Sequence, residues 1–262
     1  MMKLTFLGTG TSSGVPQLRC HCPICSSSDK ADHRLRASAL VEVGGKNLLI
    51  DCGPDFRAQM LKMGSPDLSG VLLTHSHYDH IGGIDDLRPY SSDYKEGFPV
   101  YCTEDVADDI KRLMPYAFAQ NSNSGVPHFD IHTFCLEHPQ PFTPLPGVEI
   151  IPIPIHHSPN GPLIAGFRIG PLSYITDCKS LTPQAREIIE GTHTLVINSL
   201  RHTPHPTHMN LKQALDVIKD VRPRQALLTH VSHGIGLHAE TSRLLPKGVT
   251  LARDFLSINI PD

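Results

Sequence analysis

The stretch Val71-Leu72-Leu73-Thr74-His75-Ser76-His77-Tyr78-Asp79-His80 decides how this chain is read. An apolar run of strand type ends in four potential metal ligands within six residues, three of them imidazoles. Side chains alternate along an extended backbone, so His75 and His77 project to the same side. A turn at Tyr78 then brings Asp79 and His80 back toward the same point, and Gly82-Gly83 lets the following backbone turn sharply. Imidazole and carboxylate together suit divalent zinc, manganese or iron. The plain alternative is a His-rich surface loop. Against it, ligand-type residues that end a buried strand are costly to place there without a partner.

Three further apolar runs end the same way. Residues 151–155 run into His156-His157, 172–176 into Asp177, and 225–229 into His230, with His233 three positions on. Binding sites in α/β folds gather at such strand ends. Each residue taken singly reads as a hydrogen-bonded group at the core edge. Four in one chain point to a shared centre.

The rest of the chain fits an α/β protein. Strands are expected at 3–7, 37–43, 46–51, 70–74 and 100–102, with Gly44-Gly45 as a hairpin turn. Helices are expected at 55–63, with Phe56, Met60 and Met63 as its stripe, and at 104–113. Thr182-Pro183 opens another helix, closed by Gly191, and Asn210 caps one striped by Leu211, Leu215, Ile218 and Val221. Residues 119–128 read as a loop that borders the active site. This mixture fits two sheets packed face to face with helices outside. The ligands span 75 to 230, so residues 1–262 are expected to close as one domain.

The net charge of −3 gives no sign of a basic nucleic-acid surface, although histidine is prominent at 17 against 23 Lys plus Arg. No run approaches the length of a membrane span, and the start lacks the pattern of a signal peptide. Cys52, Cys102, Cys135 and Cys178 sit in apolar settings and read as buried free thiols of a reducing cytoplasm.

The other three cysteines are crowded into Arg19-Cys20-His21-Cys22-Pro23-Ile24-Cys25. Thiolates are the preferred ligands of a structural zinc, which takes four of them or three with a histidine. No fourth cysteine lies nearby, so a histidine from elsewhere is expected to complete the set. A Cys22–Cys25 disulfide is the alternative.

The HxHxDH run resembles the signature of the metallo-β-lactamase superfamily. Together with the Cys-x-Cys-x-x-Cys loop at 19–26, after the first strand, and Thr229-His230-Val231-Ser232-His233, it is similar to the PhnP branch, phosphodiesterases that act on phosphoribosyl cyclic phosphate. The resemblance implies a four-layer αββα sandwich of two mixed sheets. It also implies that His75, His77 and His157 hold one metal, zinc or manganese, that Asp79, His80 and His230 hold a second, and that Asp177 bridges them. Alternation favours His157 over His156, since Ile151, Ile153 and Ile155 share its parity. The resemblance assigns Cys20, Cys22, Cys25 and His233 to a structural zinc, and His208 to a non-ligand role facing substrate phosphate. His202 and His205, in the same loop, read as solvated.

The reaction so implied is hydrolysis of a small (cyclic) phosphodiester by water activated between two metals, with Asp79 and His208 as catalytic residues and a homodimer left open. A tRNase Z-like endonuclease and a PqqB-like oxidoreductase or cofactor-maturation protein are the competing readings. The two ligand sets predict three metals per chain. Elemental analysis of protein prepared without chelator should find them, and a single equivalent would count against two separate sets.

Overall fold

Alternation along the strands builds three apolar seams, and these define the layers of the computed structural model, which describes residues 1–119 and 125–261. In chain order the strands are β1 (Met2–Gly8), β2 (Ser38–Val43), β3 (Lys46–Ile50), β4 (Gly70–Leu72), β5 (Phe98–Cys102), β6 (Phe129–Thr133), β7 (Phe142–Leu145) and β8 (Val148–His156). They continue with β9 (Leu163–Ile169), β10 (Leu172–Ile175), β11 (Ser180–Leu181), β12 (Thr194–Asn198), β13 (Gln225–Thr229), β14 (Val249–Leu251) and β15 (Ser257–Ile260). One sheet runs β15-β1-β2-β3-β4-β5-β6, and the other runs β11-β8-β9-β10-β12-β13-β14 with β7 paired to β8. Both are mixed. Strands β3 to β6 are parallel, as are β10, β12, β13 and β14.

The middle seam joins the sheets. Leu4, Phe6, Leu48, Ile50 and Leu72 from the first meet Ile150, Phe167, Tyr174, Val196 and Leu227 from the second. The odd-even partners face out. Leu49 and Val71 pack against helices α1 (Phe56–Lys62) and α4 (Glu104–Leu113) through Phe56, Met60, Val106 and Ile110. Leu195 and Ile197 pack against α5 (Pro183–Ile189) and α6 (Leu211–Val221) through Ala185, Ile189, Ala214 and Val217. The expected αββα sandwich is therefore the observed one. The short helices α2 (Tyr78–Ile81), α3 (Arg88–Ser91) and α7 (His238–Leu244) complete the set among the described residues.

Several local expectations shift. In α6 the Asn210–Gln213 capping box forms, but Ala214 and Val217 are buried where Leu215, Ile218 and Val221 are only partly so. Cys52, Cys102 and Cys178 are buried as expected, whereas Cys135 is exposed in the segment after β6, its thiol bonded to Glu137. Of the expected loop at 119–128, residues 120–124 lie outside the described residues.

Gly82 and Gly83 do not serve as a sharp left-handed turn, because their φ values are −65° and −102°. They serve close approach. The α2 turn docks on the end of β3 through Cys52 N–H to His80 O at 2.7 Å and Gly83 N–H to Cys52 O at 2.9 Å. A Cβ on Gly83 would lie 2.0 Å from Gly53 O, and one on Gly53 would lie 2.0 Å from Asp79 O. Both contacts are backbone, so neither can move aside cheaply. Gly83→Ala should cost about 1–3 kcal/mol, as overpacking does. Urea unfolding measures this, and a midpoint equal to the parent's would show that the approach is not tight.

Candidate metal centre

Strand ends from both sheets meet at one rim of the middle seam. His75 and His77 follow β4, Asp79 and His80 lie on α2, His157 follows β8, Asp177 follows β10 and His230 follows β13. The donor atoms of His75, His77 and His157 lie within 4.8 Å of one another, and so do those of Asp79, His80, Asp177 and His230. His80 Nε2 is 3.2 Å from both Asp79 Oδ2 and Asp177 Oδ2, and His230 Nε2 is 3.1 Å from Asp177 Oδ1. The structure thus brings together every residue expected at the dinuclear centre.

His157 joins the cluster for a different reason from strand parity. Ile153 and Ile155 face the helical seam, and β8 ends at His156, which pairs with Ser180. His157 lies one residue beyond that pairing. Its ring is turned inward by an Nδ1–H bond of 2.6 Å to the Asp177 carbonyl.

Backbone conformation delivers the other donors. Asp51, Asp177 and His230, which follow β3, β10 and β13, have φ of 60°, 54° and 52°. This left-handed region is one that Asp and His tolerate better than most residues. It swings each side chain out of the strand direction and into the rim.

Asp51 was not singled out by the sequence reading, yet it organises the site. It is fully buried and accepts hydrogen bonds from Thr74 N–H at 2.9 Å, Thr74 Oγ1 at 2.9 Å and His80 Nδ1 at 2.7 Å. With its proton given to Asp51, Thr74 Oγ1 is left to accept from His75 Nδ1 at 3.0 Å. One carboxylate therefore turns the Nε2 atoms of both His75 and His80 to the centre. The only sequence signal was an aspartate ending an apolar strand, which is how Asp177 was found.

Charge in the cluster is tightly coupled. Burial opposes ionisation of Asp79 and Asp177, but the neighbouring His230 and His80 outweigh it and hold both carboxyls below their usual range. Burial also opposes charge on His80, yet Asp177 and Asp51 hold its ring well above the ordinary imidazole range. Burial lowers His75 well below that range.

The donor set fits divalent metal. The Nε2 atoms of His75, His80 and His230 are buried with no hydrogen-bond partner among the described residues, and those of His80 and His230 face the carboxylates. A buried polar atom left unpaired is costly, and two imidazoles with two carboxylates, beside a set of three imidazoles, form a borderline N/O arrangement of the kind zinc, manganese or iron takes.

A second cluster lies beyond β13. His233 Nδ1 is 3.3 Å from Cys20 Sγ and 3.4 Å from both Cys22 Sγ and Cys25 Sγ. The backbone N–H of Cys25 lowers the Cys22 thiol to about 6, while burial pushes Cys25 up to about 11. Three thiols around one imidazole, with no disulfide among them, have the composition of a closed structural zinc site.

A family model described as a beta-lactamase superfamily domain matches residues 46–231, which take in both His/Asp donor sets and exclude the thiols and His233. The chain belongs to the β-lactamase superfamily. Membership gives it a fold shared with metallo-hydrolases, in which divalent metals are part of the chemistry. Within the superfamily it is similar to a solved diphosphatase of the PhnP family, at 37% identity and a TM-score of 0.89 over 100% of this chain and 98% of that one. An octanoyltransferase from Porphyromonas gingivalis is also 37% identical over 100% of this chain, but only 52% of that protein is covered, so the chain spans about half its length. The two competing readings are more distant. Zinc-bound PqqB from Methylobacterium extorquens and human tRNase Z, short form, are each 20% identical, with TM-scores of 0.74 and 0.72 over 98% and 99% of this chain and 100% of theirs. At that identity they share the fold.

Within this β-lactamase-type centre His208 lies against the donors, its Nε2 3.0 Å from Asp177 Oδ1, its ring stacked on His230 at 5.0 Å, and its donor atom within 4.8 Å of those of Asp177 and His157. Burial lowers it to about 4 against the opposing hydrogen bond to Asp177. His205 is not the solvated residue expected. It is half-buried, with Nδ1 3.2 Å from His208 Nδ1 and its carbonyl held by Lys179 Nζ at 2.6 Å. His202 is exposed, as expected, with Nε2 on Ile235 O.

Asp51→Ala should leave His80 and Thr74 without their acceptor. Lost outer-shell partners typically lower metal affinity roughly 10–100-fold. Competition with a chromogenic chelator reads that loss, and parental affinity would show that Asp51 does not orient the ligands.

Proposed function

We propose that this chain is a dinuclear metal-dependent phosphodiesterase of PhnP type, acting on a small phosphodiester. His75, His77 and His157 hold one metal, Asp79, His80 and His230 the other, and Asp177 bridges them. Cys20, Cys22, Cys25 and His233 hold a structural zinc. The observation that carries this reading is the convergence of seven donors, three of them buried nitrogens without a partner, beside a histidine that belongs to neither metal's expected ligands. Similarity to a PhnP-family protein over the whole chain supports it.

Divalent metals in this centre supply Lewis-acid activation of water and neutralise charge on a phosphoryl group. The chain's own residues do the rest. Asp177 gathers with Asp79, His80 and His230 and also lies within reach of His157 from the other donor set, which suits a carboxylate that would be shared between them. His208 Nε2 lies at the same rim, placed to give a hydrogen bond to a phosphoryl oxygen, and a bound phosphate's negative charge would oppose the burial that lowers the ring, as proton donation to a leaving oxygen requires. A cavity of about 170 Å³ opens beside His75, His77 and His157, walled by Thr103, Asp105 and Ser158. That volume suits a small group, and the net charge of −3 offers no broad basic surface for a polynucleotide.

The neighbour's name, diphosphatase, favours a second substrate class, a diphosphate cleaved at its P–O–P link. Hydrolysis at phosphorus with departure of an oxygen is common to both, and leaving-group basicity separates them.

His208→Ala should retain both catalytic metals and lose turnover by roughly 10²–10⁴-fold on an alkyl phosphodiester, the range for a positioned acid or base. The loss should be smaller on a nitrophenyl diester or a diphosphate, whose leaving groups need little protonation. Equal losses on all three would make His208 a phosphate-binding group. Turnover of an octanoyl thioester with no phosphoester hydrolysis would move the activity elsewhere in the superfamily.

A further inference from the structure

The candidate ligand histidines are not oriented alike. His75 Nδ1 bonds to Thr74, His80 Nδ1 to Asp51 and His157 Nδ1 to the Asp177 carbonyl. Metal-ligating histidines almost always have such a partner on the nitrogen away from the metal, because it fixes tautomer and ring direction. His230 does not. Its Nδ1 is buried and has no hydrogen-bond partner among the described residues. The rings of His80 and His208 stack against it at 5.7 and 5.0 Å, which restrains its plane but leaves it free to slide within that plane.

What fixes His230 is therefore its backbone, held in the left-handed region at φ 52°. The restraint is concentrated in the next three residues. Val231 is clamped on both sides by the chain after β1, with its N–H to Thr9 O at 2.9 Å and its carbonyl taking Thr11 N–H at 3.1 Å. Ser232 N–H bonds to Leu200 O at 2.9 Å. His233 then reaches the three thiols of the cysteine loop. That loop continues the same chain that clamps Val231, so the thiol cluster closes a ring: Thr9–Thr11, the cysteine loop, His233, Val231.

We propose that metal in the Cys20–Cys22–Cys25–His233 cluster positions His230, and that it thereby sets the affinity of the Asp79–His80–Asp177–His230 set for its own metal. This rests on the ligand sets proposed above. The thiolate cluster replaces, through backbone, the side-chain partner that His230 lacks. The coupling is selective, because His75, His77 and His157 reach the centre from strands outside this ring. It is also reciprocal, since two sites that share one free energy must raise each other's affinity by the same factor.

Cobalt(II) titration of the metal-stripped protein tests this, because thiolate-to-cobalt charge transfer in the near ultraviolet is distinct from the visible bands of nitrogen and oxygen sites. In Cys22→Ser, one active-site equivalent should bind roughly 10–100-fold more weakly, the usual cost of losing an outer-shell partner, while the other stays at its parental affinity. Both equivalents at parental affinity, in a variant with the parent's circular dichroism, would overturn the proposal. A second measurement leaves the cysteine loop intact. The thiolate band should fill at a higher cobalt concentration in Asp79→Ala than in the parent, by the same factor, and an unchanged midpoint would equally overturn it. Neither titration reads hydrolysis. Coupled sites in a protein without phosphoester activity would refute the functional reading alone, and independent sites in an active enzyme would refute this inference alone.

Discussion

Two carboxylates, Asp79 and Asp177, are buried side by side at the rim between the sheets, and the site is organised around what that requires. Their oxygens face His80 at equal distances of 3.2 Å, and His80 in turn leans on the buried Asp51. Three acidic groups in so little water are tolerable only where positive charge is supplied, because the cost of burying an unpaired charge exceeds what packing returns. The imidazoles answer in two ways. His80 is held charged by Asp177 and Asp51, while His75, less favourably placed, is pushed toward its neutral form by burial. Neutral imidazole with a free Nε2 is the form that binds metal. A divalent cation beside Asp79 and Asp177 would supply the positive charge that His80 otherwise carries, leaving the His80 ring neutral and its Nε2 free to ligate.

The two-sheet architecture is what makes this arrangement affordable. Donors come from the first sheet through β4 and α2, and from the second through β8, β10 and β13. No single sheet could surround a cation from opposite sides. The middle apolar seam, with Phe6, Phe167 and Tyr174 among its fully buried members, holds the two halves of the centre in register. Residues in the left-handed region cost of order 1–3 kcal/mol each, and Asp51, Asp177 and His230 are three of the seven such non-glycine residues among those described. Their strain is concentrated at the rim, where extended strands must release a side chain sideways.

Much of this was legible in the sequence because metal ligation leaves dense local marks. His75, His77, Asp79 and His80 fall within six residues, and the remaining donors each end an apolar run, so composition and spacing alone nominated them. The helices with caps were legible too: Thr182 and Asn210 accept the backbone N–H bonds their positions predicted. The short edge strands were not. Residues of β6 are half-buried or exposed, and β15 has only four residues, too few for its alternation to stand out, so neither carries a strong periodic signal. Cys135 shows the same weakness, since apolar neighbours in sequence do not ensure burial when the strand before them is an edge.

Asp51 and His205, whose roles the sequence does not show, and His157, which it nominates on a parity that does not hold, share one property, namely that what places them exists only across long separations. Asp51 acts through His80, 29 positions on, and nothing local distinguishes it from any aspartate that ends a strand. His205 looked like one of several loop histidines, and only the Lys179 bond to its carbonyl and the folded position of His208 bring it against the site. His157 was chosen by a parity that the strand does not continue, and its actual determinant is a carbonyl 20 residues away, made available by the left-handed turn at Asp177. Ligands are written locally because the cation demands particular atoms. The groups that aim them are set by topology, since any donor or acceptor that the fold brings to the second nitrogen of an imidazole will serve.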